Sequence, residues 1–165
     1  MELNDVLAHL HKSKEFTSWK GKGVLAHAFK LLDEANEDTW QLGFYDKDAE
    51  KITTFVVSAR FVEVIPDQEI LRSEHAIFEL NPAHVTVTSE AALKSATEFH
   101  HLHHPRELML KKFFIVQQTE AGPVYNITFF FQSMKTLNLK IDAVSGKVVS
   151  HSFQSLMEMD KPLKK

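Results

Sequence analysis

The chain has 165 residues, 44% of them hydrophobic and 25% charged, which suits one domain or two small ones with a real core. Its formal net charge of −3 sets up no field for nucleic acid or an anionic membrane surface, and no apolar run reaches the roughly 18 residues of a membrane span. Cysteine is absent, which excludes disulfides, thiolate metal sites and a cysteine nucleophile.

The opening Met1-Glu2-Leu3-Asn4-Asp5 is acidic and polar, unlike a signal peptide, so the chain reads as cytoplasmic. A chain trimmed from an exported, cell-envelope protein would read the same way. A helix is predicted over 5–16, with Asn4 as N-cap and Asp5 in the first turn. Residues 23–32 look helical in isolation, because Leu25, Ala28, Phe29 and Leu32 recur at i, i+3, i+4 and i+7. Strands follow over 39–45 and around Ile52, Thr54 and Val56. The Asp46-Lys47-Asp48-Ala49-Glu50 stretch between them has the opening spacing of a calcium loop. It lacks that loop's later Gly and Glu, and reads as a turn. Residues 67–86 form a linker bracketed by Pro66 and Pro82, in which Ile70, Leu71, Ile77 and Phe78 are expected to pack or to form a short helix. A second helix is predicted from Glu90 to about Leu102, capped by Ser89 and ending before Pro105. Lys112 to Val116, Val124 to Phe131 and Leu137 to Ile141 read as strands.

These elements recur at a spacing of 85 positions. Trp40, Leu42 and Phe44 match Tyr125, Ile127 and Phe129, and Ile52, Thr54 and Val56 match Leu137, Leu139 and Ile141 in the same alternating phase. Leu25 and Phe29 match Leu110 and Phe114, so the helix-like segment 23–32 falls opposite a β-rich one and is assigned as a strand. The expected fold is α+β, in two tandem units of one helix against an antiparallel meander of three to four strands, with bounds at 1–80 and 86–165.

Three features of the second unit carry a family resemblance. They are the helix start Ser89-Glu90-Ala91-Ala92, the strand Val124-Tyr125-Asn126-Ile127, and the closing segment Leu139-Lys140-Ile141-Asp142-Ala143-Val144-Ser145-Gly146-Lys147-Val148-Val149. Together they resemble a PepSY-type domain, the module named after peptidase propeptides, with a cystatin-like helix-on-sheet unit. The resemblance implies a non-catalytic module, often at the cell envelope, that binds or restrains a partner. In the closing segment the Asp142 carboxylate is expected to accept backbone N–H groups, and Gly146 to take a left-handed conformation, both as turn-formers. At the 85-residue spacing Asp142 falls opposite Val57 and Gly146 opposite Phe61, so the first unit's last hairpin must be built differently.

The run His100-His101-Leu102-His103-His104 is the sharpest local cluster. On a continued helix, imidazoles at i and i+4 share a face and suit Zn²⁺, Ni²⁺ or Cu²⁺. Solvated histidines beside the negative end of the helix dipole are the plainer reading. No catalytic residue and no cofactor is expected. The expected function is binding of a protein or peptide at a sheet edge, self-association included. A metal-binding protein working through His100, His101, His103 and His104 is one alternative. A small ligand held between helix and sheet is another.

Overall fold

In the computed structural model, residues 1–69 and 76–159 are described. The order is α1 (Leu3–Lys12), α2 (Lys14–Thr17), β1 (Val24–Leu31), β2 (Trp40–Asp46), β3 (Lys51–Val57), β4 (Val62–Glu69), α3 (Ser89–His103), β5 (Met109–Thr119), β6 (Gly122–Phe131), β7 (Lys135–Asp142), β8 (Val148–Ser155) and α4 (Leu156–Met159). Helix followed by four strands therefore occurs twice. The predicted helix 5–16 breaks at Ser13, which takes an extended conformation and accepts the Phe16 N–H at its own Oγ, starting α2 afresh. The helix caps also lie earlier than expected. Glu2 and Thr88 cap α1 and α3, not Asn4 and Ser89.

All eight strands form one antiparallel sheet in the order β4-β3-β2-β1-β5-β6-β7-β8. The two runs of four strands meet within this one sheet. Their first strands pair directly, from His27 opposite Gln117 to Leu31 opposite Phe113. That ladder satisfies two rows of backbone groups that two separate sheets would leave as edges. It also makes one core. Ala28, Trp40, Leu42, Phe55, Phe114, Val116, Ile127, Phe129, Leu137 and Leu139 are fully buried in a continuous cluster with Val6 and Leu10 of α1 and Ala92 and Ala96 of α3. Burying that apolar surface at ~25 cal/mol per Å² is the main force that holds the helices on the sheet.

The matched positions on β3 and β7 do not share a phase. Leu137, Leu139 and Ile141 are buried beneath the helices, whereas Ile52, Thr54 and Val56 are half-buried on the opposite, open face. On β3 it is Thr53, Phe55 and Val57 that point to the core. Turn length is the cause. The β2–β3 turn leaves Lys47 to Glu50 between the paired Asp46 and Lys51. The β6–β7 turn is one residue shorter, spanning Gln132 to Met134. A one-residue slip moves a strand's side chains to the other face.

The expected Asp46 turn is present, with its Oδ1 accepting the Asp48 and Ala49 N–H groups at 3.0 and 3.2 Å. Pro66 lies inside β4 rather than bracketing a linker, while Pro82 opens a 3-10 turn capped by Asn81. Ile77 and Phe78 remain partly exposed, Leu80 is buried and donates its N–H to Leu25 O at 2.7 Å, and Ile70 and Leu71 lie outside the described residues.

The two helix starts touch. Glu2 donates its N–H to the Asp5 carboxylate, and its own carboxylate accepts the N–H and hydroxyl of Ser89 at 2.8 and 2.7 Å. The indole of Trp40 donates to Met1 O at 3.1 Å, two residues before α1 begins. The Tyr125 hydroxyl donates to Val87 O at 2.6 Å, two residues before α3 begins. Burial, and then the nearby Glu2 carboxylate, push the Tyr125 phenol well above its ordinary pKa.

Candidate functional site

The histidine run ends α3; the His100 and His101 rings lie 5.1 Å apart, while His103 and His104 take other neighbours. His100 is buried against Phe131, with ring centroids 4.9 Å apart, and its Nε2 is 2.9 Å from Glu107 O. His101 is exposed. His103 packs on Phe99 at 4.2 Å, and the other neighbour of Phe99 is His151 of β8 at 4.8 Å. His104 stacks on Phe153 of β8 at 4.0 Å. Burial on that face, and then His103, lower the His104 pKa below the ordinary imidazole value. Among the described residues no three His, Asp or Glu side chains gather as a metal site. The cluster is built as an aromatic clasp between the end of α3 and β8.

Asp142 and Gly146 close the β7–β8 hairpin as expected. Asp142 Oδ1 accepts the Val144 and Ser145 N–H groups at 2.7 and 2.8 Å, and Gly146 has φ +78°. The turn is docked onto the lead-in to α3. Thr86 and Val87 donate to Ala143 O, and Ser95 of α3 donates to Gly146 O. Its counterpart in the first half is Ser58, not Val57. Ser58 Oγ accepts the Arg60 and Phe61 N–H groups, both at 3.1 Å, so a hydroxyl does there what the carboxylate does here. The two backbone bonds hold the Asp142 carboxyl below the usual carboxylate range. A lowered folded pKa means that the stabilisation is present above the ordinary carboxylate pKa and fades as pH falls through the folded value. Asp142→Ala should cost about 1 kcal/mol at pH 7 in urea unfolding and less at pH 3. An equal loss at both pH values would refute the assignment.

The open face of the sheet holds a feature the sequence reading did not anticipate. Strand β1 carries a bulge at Ala26, since Leu25 pairs with Phe44 and His27 with Gly43. The bulge turns His27 away from the core and lays it on the open face. Its ring crosses Gly43 so closely that a Cβ there would sit 2.4 Å from the imidazole Cε1. That contact explains a glycine in the middle of a central strand. Burial lowers the His27 pKa, which favours the neutral ring. No described residue hydrogen-bonds it. His27 floors a cavity of about 680 Å³, roofed on one side by Ala76, Ile77 and Phe78. Ile52 and Ile115 form its apolar walls, and Gln117, Gln118, Thr119, Glu120 and Lys140 add polar groups. The helix side of the sheet is filled by buried side chains, so the cavity lies opposite to where a helix–sheet pocket was expected.

The two edges of the sheet differ. β4 carries Glu63 and Pro66 and is kinked by a register shift against β3, three devices that discourage strand addition. β8, Val148–Ser155, contains no Pro, Lys, Arg, Asp or Glu, and most of its residues are exposed. Its ladder with β7 is regular from Lys135 opposite Ser155 to Lys140 opposite Ser150. Among the described residues nothing pairs with its outer edge.

These features define an α+β protein with a single eight-stranded antiparallel sheet, helices on one face and an open second face. No family model and no curated protein matches the chain. Its fold is similar to the crystal structure of a "putative lipoprotein" from Clostridium difficile 630, with a TM-score of 0.59 at 10% identity over 93% of each chain. The Bacillus megaterium YpeB C-terminal domain aligns over 98% of this chain and 67% of that one at 16% identity, with a TM-score of 0.26, too low to indicate a shared fold. Among the described residues no helix is long and apolar enough to cross a membrane.

Proposed function

We propose that this protein is a non-catalytic binding module, built from two PepSY-like units, that takes an extended protein segment onto the free edge of β8. The carrying observation is the unguarded edge itself. Eight residues without a charge or a proline present a row of backbone donors and acceptors, the template for β-strand addition. The aromatic clasp fixes that strand in place. His104 on Phe153 and His103 beside Phe99 and His151 pin β8 to α3, so the edge is preformed and binding need not order it.

Duplication of one unit is supported by contacts that sequence matching alone does not supply. Ala28 pairs with Leu42 as Phe114 pairs with Ile127, which makes Phe29 and Ile115 counterparts. Those two residues pair with each other in the central ladder, as a two-fold axis through it requires. Trp40 and Tyr125 each tie their strand to the carbonyl two residues before a helix. The small slips around the 85-residue spacing come from turns of unequal length.

The test is selection of peptides from a random display library against the purified chain. A selected peptide should slow amide exchange along β8. N-methylation at alternate peptide positions should abolish binding in one register and spare it in the other, because only one set of N–H groups faces the sheet. Sedimentation velocity detects the special case in which the added strand is β8 of a second copy. Peptides that bind without protecting β8, or that tolerate N-methylation in both registers, would sink the proposal.

A further inference from the structure

The cavity over His27 lies on the open face, away from both edges. Three independent features converge on His27. A bulge diverts it from the core, a glycine leaves room for its ring, and no described residue satisfies its nitrogens. The ring is part-buried, so its nitrogens still reach solvent, and a ligand seated there can displace that water.

The surrounding chemistry narrows the ligand. Lys140 is half-buried on β7, and no described carboxylate lies within ion-pair distance of it. Gln117 pairs with His27 across the β1–β5 ladder, and Ile115, two residues earlier, lies on the same face. The floor of the cavity therefore offers an ammonium, an amide and an imidazole N–H. The one acidic lining group, Glu120, is exposed on the β5–β6 turn at the mouth. The walls and roof, Ile52, Ile115, Ile77 and Phe78, are apolar. A volume of about 680 Å³ falls within the range of small-molecule sites, roughly 300–1,000 Å³.

We propose that this cavity binds a small carboxylate with an aliphatic or aromatic body, its carboxylate held by Lys140 and Gln117 and its body laid over Ile115 towards His27 and Phe78. A charged hydrogen bond supplies orientation and the apolar walls supply most of the affinity.

Octanoate titrated into the full chain, with octanol as the uncharged control, tests this. Octanoate should perturb the amides of His27, Gly43 and Ile115 in a saturable way, and bind about tenfold more tightly than octanol. Lys140→Gln should remove that tenfold advantage and leave octanol binding unchanged. Gly43→Ala, which pushes the imidazole aside, should weaken octanoate again, with the urea midpoint showing that each variant is folded. Equal affinity for the two probes, unchanged octanoate binding by Lys140→Gln, shifts confined to β8, or no saturable binding would each overturn the proposal.

Discussion

Trp40→Ala should cost about 3–5 kcal/mol in urea unfolding, a large share of a domain's net stability. Trp40 is fully buried where three parts of the protein meet. Its ring meets Phe114 of β5 edge-on at 5.4 Å, so it spans the junction of the two halves. The Lys30 ammonium sits 5.3 Å above the indole, and the indole N–H holds Met1 O ahead of α1. Alanine would leave a large cavity, an unpaired carbonyl and a cation without its ring. Trp40→Phe should recover most of the packing but not the hydrogen bond, and so fall between. A loss below about 1 kcal/mol for the alanine variant would mean that the halves do not depend on this contact.

Phe55→Ala should cost a similar amount, about 3–5 kcal/mol, but its effect should stay in the first half. Phe55 is fully buried at the hub of an aromatic box, with Phe16 at 5.4 Å, Trp19 at 5.3 Å and Phe44 at 5.6 Å. Phe16 and Trp19 belong to α2 and the segment just after it, which hold little else apolar against the sheet. Removing the hub should free that corner. Trp19 emission should shift to the red before global unfolding, while exchange protection in β6 and β7 persists. If Trp19 and the β6 amides respond together, the box is part of the global unit rather than a local one.

The strands and helices were legible because their side chains alternate or recur as packing demands. Trp40, Leu42 and Phe44 announce β2 by period two, and all three are buried. β1 was harder. The bulge at Ala26 puts consecutive residues on one face, so Leu25, Ala28 and Phe29 imitate a helix, and only comparison with 108–118 identified the strand. Turn lengths were not legible. The one-residue difference between the β2–β3 and β6–β7 turns flips Thr54 to the open face and puts Ser58, not Val57, in the turn role that Asp142 plays in the other half. That Asp142 and Gly146 form a turn could be read directly, since each residue type has a local backbone reason to be there. The histidine run was visible as composition, but ring direction depends on Phe99, Phe131 and Phe153, which come from three elements. The His27 cavity left no sequence signal beyond an unexplained Gly43, because it needs a bulge, a neighbouring strand and residues 76–78 together.

The unequal edges set a limit on assembly. A sheet with two free edges of the same kind can add copies without end and become a fibre. Here β4 is blocked by Glu63 and Pro66, and among the described residues β8 alone presents an open edge. Two copies meeting through β8 would turn a blocked edge outward on both sides. Growth would stop at the pair, and an extended partner occupying β8 would prevent even that.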